Sequence, residues 1–246
     1  DALNTVRVSV GGAAYDADVA NDLSWSIQVN TVVEGPNTVT AVAIDPAGNS
    51  STTTSELITI DSTDPSTPVV NSDERNQRTV AIGGSSDVGT TISLTISGPN
   101  NFSATVSNIA VSSGGLWSNS YTFPTDGTFT VSAIARDSAG NESASGSGTV
   151  FIDTEKPNPP AINGGRFNLR TITLNGTSDL NSTVSLTITG ANSFSQTLSQ
   201  IPVNSDGDWT VSLTLPSDGT YSITGLSYDS VSNVSDPSSA VAITID

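Results

Sequence analysis

A short turn rich in aspartate and asparagine occurs three times, and its carboxylates are the groups in this sequence best suited to bind an ion. The copies begin at Asp45, Asp137 and Asp229, and the interval between them is 137 − 45 = 92 residues and again 229 − 137 = 92 residues. The chain therefore repeats one structural unit. Carboxylate oxygens are the ligands that hard divalent cations such as calcium prefer. Function is expected in what the repetition provides, with calcium as the first cofactor to consider.

Further acidic residues recur near the boundaries between units. If each unit is a sandwich of alternating strands, the loops carrying Asp87 and Asp137 lie at the end where the unit begins, and the preceding strand delivers Asp61 there. The predicted calcium ligands are Asp61, Asp64, Asp87 and Asp137 at the first junction, Asp153, Glu155, Asp179 and Asp229 at the second, and Asp1 and Asp45 as their equivalents in the leading unit. Calcium takes about six to eight oxygens, so backbone carbonyls would complete each site. The alternative is that these aspartates only cap turns by accepting backbone N–H groups.

The composition limits the classes of function to consider. Acidic residues number 24 against 7 basic ones, which gives a formal net charge of −17. Nucleic acids and anionic membranes carry the same sign of charge, so neither is an expected partner, and no apolar run is long enough for direct membrane insertion. Cysteine and histidine are absent, which excludes disulfides, thiolate or imidazole metal sites and His-dependent triads. A carboxylate pair of the glycosidase kind would remain, but the candidate acids recur once per repeat, so we predict that the chain is not an enzyme.

Short segments of alternating apolar and polar residues, separated by turn-forming residues, must position these acids. The segment 91–96 alternates as a strand with one buried face does. The strands predicted in the middle unit are 69–70, 79–82, 91–96, 102–106, 117–123, 128–135 and 149–152. Those predicted in the next unit are 172–174, 184–188, 194–198, 209–215, 221–225 and 242–245. This pattern predicts an all-β fold of tandem seven-stranded immunoglobulin-like β-sandwiches with a period of 92 residues.

The repeat divides the chain into three predicted domains. Residues 62–153 and 154–246 are each expected to form an Ig-like unit. Residues 1–61 are expected to form a partial Ig-like unit, because aligning Asp1 with Asp87 leaves no counterpart of residues 65–86. We expect this unit to lack its first two strands. Residue 1 is not methionine and no signal peptide is recognisable, so the chain is expected to be a fragment or mature portion of something longer.

Tryptophan recurs at the same interval, at Trp25, Trp117 and Trp209. Each begins a segment whose alternate positions are mostly large and apolar, so we predict three strands with a tryptophan anchored in the core. The alternative is a platform on which sugar rings stack.

The repeated motifs resemble those of the bacterial immunoglobulin-like tandem repeats of giant secreted, RTX-type surface adhesins. The strand-to-linker motif is IDSTDP at 60–65 and IDTEKP at 152–157, and the turn motif is AIDPAGN at 43–49 and ARDSAGN at 135–141. This resemblance implies extracellular rods that calcium stiffens at the junctions, with the aspartates given above as ligands. The third unit has Ser232 where the middle unit has Gly140, so the geometry of its turn is not settled by the resemblance.

The predicted function is a calcium-stiffened, non-enzymatic extender segment of a large bacterial surface adhesin, which projects a terminal binding domain from the cell in adhesion or biofilm formation. Its partners would be neighbouring repeats of the same chain. One alternative is a filament subunit, in which other copies complete the leading unit by β-strand addition. Another is a carbohydrate-binding module.

Overall fold

The computed structural model describes residues 5–30 and 32–246, and nearly all of its regular structure is β-strand. The leading unit contains β1 (Thr5–Val10), β2 (Ala13–Asp18), β3 (Gly35–Ile44) and β4 (Thr54–Ile60). The middle unit contains β5 (Val69–Val70), β6 (Asp73–Arg75), β7 (Thr79–Ser85), β8 (Thr91–Gly98), β9 (Phe102–Ala110), β10 (Leu116–Thr122), β11 (Gly127–Arg136) and β12 (Gly146–Ile152). The third unit contains β13 (Ala161–Ile162), β14 (Gly165–Phe167), β15 (Thr171–Thr177), β16 (Thr183–Thr189), β17 (Ser195–Pro202), β18 (Asp208–Thr214), β19 (Gly219–Tyr228) and β20 (Val241–Ile245). A 3-10 turn at Pro99–Asn101 joins β8 to β9.

The middle unit is a sandwich of a three-stranded sheet, in the order β10-β7-β5, and a five-stranded sheet, in the order β6-β12-β11-β8-β9. Strict alternation in β8 buries Ile92, Leu94 and Ile96 and exposes the residues between them. These side chains form one core with Trp117 and Phe129. The period-two pattern of the sequence thus becomes a sheet with one apolar face, which is stable only against a second sheet.

The third unit repeats this arrangement with sheets in the orders β13-β15-β18 and β14-β20-β19-β16-β17. Its core contains Ile172, Leu174, Leu186 and Trp209 at positions equivalent to those of the middle unit. The predicted all-β class and Ig-like sandwich architecture are therefore confirmed.

Each complete unit has one strand more than the seven predicted. The additional strands are β6 and β14, which pair in parallel with β12 and β20 respectively. The segments predicted for the third unit also did not include β13. In β6 the sequence is Asp-Glu-Arg, which has no apolar alternation and so gave no signal in the sequence. β6 is a strand because it pairs with β12, and its own residues show no preference for extended structure.

The leading unit has one sheet where each complete unit has two. Its described strands form a single four-stranded sheet, in the order β2-β1-β3-β4. Residues 65–86, which have no counterpart in this unit, contain three strands and not the predicted two.

The prediction that Trp25 begins a strand and anchors the core is wrong. Residues 24–30, which correspond to β10, are not a strand, and Trp25 is 44% exposed, whereas Trp117 and Trp209 are 3% and 1% exposed. The physical reason is the absence of a pairing partner. The edge strand β10 hydrogen-bonds to β7 alone, and among the described residues of the leading unit no strand lies beside residues 24–30 to pair with them.

Glycine allows neighbouring strands of the three-stranded sheet to approach each other closely at the tryptophan. A Cβ atom on Gly84 would lie 1.8 Å from the carbonyl oxygen of Val69 and 2.9 Å from Cζ2 of Trp117. A Cβ atom on Gly176 would lie 2.6 Å from Cζ2 of Trp209. Each tryptophan therefore packs directly on the backbone of the neighbouring strand, where only glycine fits.

Candidate functional site at the unit junctions

The linker between the leading and middle units is bound by the unit that precedes it. Glu34 lies just before β3, and its carboxylate accepts hydrogen bonds from the backbone N–H of Ser62 at 3.1 and 3.2 Å and from the Ser62 hydroxyl at 2.7 Å. At the second junction, Asp126 stands 92 residues after Glu34 and accepts the N–H of Thr154 at 2.9 Å and its hydroxyl at 3.0 and 3.1 Å. The same loop of the leading and middle units thus binds the first residues of the linker that follows.

The unit that follows the linker binds it from the other side through asparagine. Nδ2 of Asn141 donates to the backbone oxygen of Asp61 at 3.1 Å, and Nδ2 of Asn233 donates to the backbone oxygen of Asp153 at 2.9 Å. These two oxygens belong to the residues that immediately follow the last strand of the preceding unit. The repeated turn therefore joins adjacent units directly.

The aspartate of the turn fixes the asparagine in place. Oδ2 of Asp137 accepts from Nδ2 of Asn141 at 2.9 Å, and Oδ1 accepts the backbone N–H groups of Gly140 at 2.7 Å and Asn141 at 2.9 Å. This geometry needs a left-handed residue before the asparagine, and Gly140 has φ of +100°. Ser232 adopts the same region with φ of +71°, so the turn of the third unit keeps its shape despite the substitution. Oδ2 of Asp229 accordingly accepts Nδ2 of Asn233 at 2.8 Å.

A second aspartate in each complete unit binds the far end of the linker. Oδ2 of Asp87 accepts the N–H of Ser66 at 2.7 Å, and Oδ2 of Asp179 accepts the N–H of Asn158 at 2.7 Å. Each linker is about six residues long. Its start is hydrogen-bonded to both adjacent units, and its end is hydrogen-bonded to the following unit.

These hydrogen bonds keep several of the carboxylates ionised. The amide of Asn141 holds the pKa of Asp137 below its ordinary value. The hydroxyl of Ser62 lowers the pKa of Glu34, and the backbone N–H of Thr154 lowers the pKa of Asp126. An ionised carboxylate accepts hydrogen bonds more strongly than a protonated one, so the linker contacts are charge-assisted at neutral pH.

The predicted ligands meet only in part. Nδ2 of Asn141 lies 2.9 Å from Oδ2 of Asp137 and 3.5 Å from Oδ1 of Asp61, so one amide joins these two carboxylates. Asp87 instead binds Ser66, and Asp153 accepts the N–H of Glu155 at 3.0 Å. Within residues 5–30 and 32–246, no three acidic residues are grouped so that they could hold a metal ion.

The remaining predicted ligands lie elsewhere. Asp64 and the side chain of Glu155 are on the exposed linkers. Asp45 accepts the N–H and Nδ2 of Asn49, both at 2.8 Å, within the leading unit. Asp1 is outside the described residues.

The sequence prediction did not include Glu34, Asp126 or the two asparagines. Glu34 and Asp126 are separated by 92 residues, and Asn141 and Asn233 are likewise 92 residues apart. The period could have identified all four residues. Amide nitrogens are not metal ligands, and Glu34 and Asp126 lie at the end of the unit opposite the predicted metal sites, so the pattern of metal ligands did not include these four residues.

Comparison with known proteins identifies the middle unit. Residues 67–154 match the family model of the bacterial Ig-like domain, and the resemblance predicted from the sequence motifs is confirmed there. No curated protein matches the chain at a significant level.

Several solved structures are similar along most of the chain. A tetra-tandem repeat in the extending region of a large adhesion protein is 23% identical, with 100% of this chain and 68% of that chain covered and a TM-score of 0.36. The FN1–FN3 domains of chicken CNTN1 are 10% identical, with 99% and 90% covered and a TM-score of 0.48. An I-band fragment of titin is 11% identical, with 100% and 88% covered and a TM-score of 0.41. In the part of the chain that the structure describes, no helix is long and apolar enough to span a membrane.

Proposed function

We propose that this chain, in which residues 67–154 match the bacterial Ig-like domain, is a non-enzymatic extender segment of a large bacterial surface adhesin. In this extracellular role the repeated units supply length, and the junctions hold neighbouring units in one relative orientation. A terminal binding domain is thereby kept away from the cell. The observation that supports the proposal lies at the linker. Side chains of both adjacent units bind it, and these side chains recur at intervals of 92 residues.

Binding from both sides changes the mechanical character of a short linker. A free linker of this length would allow two units to swing about it. The Asn141 amide ties the end of β4 to the turn of the next unit, and Glu34 ties the next two residues back to the first unit. Rotation at the junction then requires charge-assisted hydrogen bonds to break, so the bound orientation is favoured.

Calcium at the junctions is part of the proposal. The donor set has the chemistry that calcium requires, because the backbone oxygen of Asp61 and the carboxylates of Asp61 and Asp137 surround one point, now taken by the Asn141 amide. Asp61 and Asp137 would hold the ion at the first junction, and Asp153 and Asp229 would hold it at the second. Asp87 and Asp179 would join them only after releasing the N–H groups of Ser66 and Asn158. A bound divalent cation would neutralise the repulsion between carboxylates that come from two units.

The alternative of a carbohydrate-binding module receives little support from the tryptophans. Trp117 and Trp209 are buried in the cores of their units and have no face available to a sugar ring. Trp25 is partly exposed but stands alone among them.

The extender role is tested by small-angle scattering. Three units built on strands of up to 10 residues at about 3.4 Å each should give a longest dimension of about 100 Å or more. Replacing both junction asparagines, by Asn141→Ala and Asn233→Ala, should broaden the distance distribution and shorten the mean end-to-end length, because each junction loses its direct tie. The matched control is Asn49→Ala, since Asn49 makes the same bond to its own aspartate. A compact particle, or an unchanged distribution in the double variant, would contradict the proposal.

Calcium binding is tested separately by titration calorimetry. Two sites with dissociation constants of about 10⁻⁴ to 10⁻³ M are expected, as in other extracellular modules. The pair Asp87→Ala and Asp137→Ala should remove the first site and leave the second intact, whereas Asp64→Ala should have a smaller effect. If the unmodified chain gives no heat of binding at millimolar calcium, the aspartates act only through the hydrogen bonds described above, and the extender proposal would then rest on the linker alone.

A further inference from the structure

A depression of about 300 Å³ lies on the outer face of the five-stranded sheet of the third unit. Its floor is β16, where Thr183 and Ser185 alternate with the buried Val184 and therefore point away from the core. Tyr228, the last residue of β19, stands directly opposite Thr183 and forms one wall. Thr183, Ser185 and Tyr228 are all half-buried. The third unit thus has a concave polar surface outside its core.

A β-bulge in β17 forms the opposite wall. The register of β16 against β17 shifts between Val184 and Leu186, and Ser199 and Gln200 are the residues of β17 at this shift. Gln200 has φ of +56°, so the backbone turns here and does not continue as a regular strand. A bulge redirects side chains that would otherwise follow the strand. Both Ser199 and Gln200 line the depression.

The middle unit has the same bulge in β9. Its register against β8 shifts between Ile92 and Leu94, and Asn108, the counterpart of Gln200, has φ of +62°. The counterparts of the three hydroxyl residues on β16 and β17 are Thr91, Ser93 and Ser107. The bulge and these hydroxyl groups are therefore common to both complete units.

An arginine distinguishes the middle unit at this place. Arg136 stands at the position of Tyr228, and Gly140 stands at the position of Ser232. A Cβ atom on Gly140 would lie 3.3 Å from Nη2 of Arg136, so the guanidinium of the middle unit lies over the turn. The third unit has a tyrosine in place of this arginine. Its depression is therefore open where the arginine of the middle unit lies.

The polar side chains around the depression are available to a ligand. In the part of the chain that the structure describes, no side-chain hydrogen bond within the protein is made by Thr183, Ser185, Ser199, Gln200 or Tyr228. Hydroxyl and amide groups both donate and accept hydrogen bonds. A ligand that carries several hydroxyl groups can therefore be bound from both walls.

Charge and shape select the class of this ligand. None of the described residues that line the depression is basic, and Asp229 contributes a carboxylate, so an anion would be repelled. Tyr228 offers an apolar ring face with a polar tip, and the hydroxyl and amide groups stand around it. A pyranose has the complementary pattern, because its ring presents C–H groups on one face and hydroxyl groups at its rim. A volume of about 300 Å³ is at the lower end of the range for small-molecule sites and suits a single ring.

We propose that the third unit binds one neutral pyranose residue of a carbohydrate in this depression. The ring of Tyr228 packs against the C–H face of the sugar, and the hydroxyl groups of the sugar bond to Thr183, Ser185 and Gln200. This inference goes beyond the extender role and does not depend on it. The site is also separate from the buried tryptophans, which offer no face to a sugar.

Saturation-transfer difference NMR on the full chain tests the proposal. The probes are the methyl glycosides of glucose, galactose, mannose and N-acetylglucosamine, with methyl glucuronide as the matched anionic sugar. At least one neutral glycoside should bind with a dissociation constant on the order of 10⁻³ M, as expected for one small ring in an open site. Methyl glucuronide should bind more weakly than methyl glucoside, because its carboxylate meets Asp229 and no basic residue.

Two variants assign the binding to this depression. Tyr228→Arg places the residue of the middle unit in the third and should remove the saturation transfer. Thr183→Val keeps the shape of the side chain without its hydroxyl and should weaken binding about two- to tenfold, the effect of one lost hydrogen bond. The matched control is Arg136→Ala in the middle unit, which should leave binding unchanged. Hydrogen exchange of β16 and β19 shows whether each variant keeps the fold.

Three results would overturn the proposal. The first is no saturation transfer to any neutral glycoside at about 10 mM, well above the expected dissociation constant. The second is equal binding by the Tyr228→Arg chain, or equal binding by the Thr183→Val chain if Tyr228→Arg disturbs the exchange of β16. The third is tighter binding of methyl glucuronide than of methyl glucoside.

Discussion

Truncation of Trp209 to alanine should destabilise the third unit by about 3–5 kcal/mol, the range found when a large aromatic side chain is removed from a packed core. Trp209 is 1% exposed, lies among buried aliphatic residues of both sheets, and donates its indole N–H to the backbone oxygen of Thr177 at 3.3 Å. Its loss leaves a cavity and removes the hydrogen bond of the indole. Hydrogen exchange of β15 and β18, followed by mass spectrometry, reports on this unit alone.

The other two tryptophans are matched controls at the same position of the repeat. Trp117→Ala should destabilise the middle unit by a similar amount, because Trp117 is 3% exposed. Trp25→Ala should change the stability of the leading unit by less than about 1 kcal/mol, since its side chain is 44% exposed and its segment has no paired strand. A loss at Trp25 as large as that at Trp209 would show that the leading unit buries this residue in solution.

The second large effect is expected at the glycines beneath the tryptophans. Gly84→Ala and Gly176→Ala should each cost about 3 kcal/mol, the upper part of the range for overpacked cores. A Cβ atom on Gly176 would lie 2.0 Å from the backbone oxygen of Ala161, which is part of the backbone and cannot turn aside as a side chain does. The unit can accept the methyl group only if the first strand moves away from its sheet. Denaturant unfolding of the chain, with each transition assigned by hydrogen exchange, measures the cost.

Gly114 provides the control for these substitutions. The nearest atom to a Cβ atom at Gly114 is Oγ of Ser112 at 4.0 Å, and the backbone of Gly114 is not left-handed. Gly114→Ala should therefore alter stability by no more than about 0.5 kcal/mol. If Gly84→Ala were equally mild, the close approach of the strands would not exist in solution.

The architecture of the complete units could be predicted from local patterns in the sequence. Segments such as β8 alternate strictly, and glycine, proline and asparagine mark the turns between strands. The residues 24–30 show where local patterns fail, because they alternate as β10 does and yet form no strand. A strand depends on a partner elsewhere in the chain, and propensity does not report whether that partner exists.

The chemistry of the junction was only partly anticipated from the sequence. The spacing of Asp61, Asp87 and Asp137 indicated residues near one end of a unit. In the structure Asp61 and Asp87 accept N–H groups of the linker, and Asp137 orients Asn141, which donates to the backbone oxygen of Asp61. The expectation of three carboxylates gathered as a cluster ignored the hydrogen-bond donors nearby. Backbone N–H groups and the Asn141 amide lie closer along the chain than a third acid does. The carboxylates accept hydrogen bonds from these donors instead of forming a cluster. Calcium at these positions remains a prediction.

The parallel pairing of β6 with β12 determines how a complete unit responds to a pulling force. Tension along the chain draws β6 towards its amino end and β12 towards its carboxyl end, so the two strands are pulled past each other along their length. Their hydrogen bonds, from Val150 opposite Asp73 to Ile152 opposite Arg75, are then loaded in shear and must break together. The same clamp joins β14 to β20 in the third unit. Each of the two complete units is therefore expected to resist extension until this pair of strands separates.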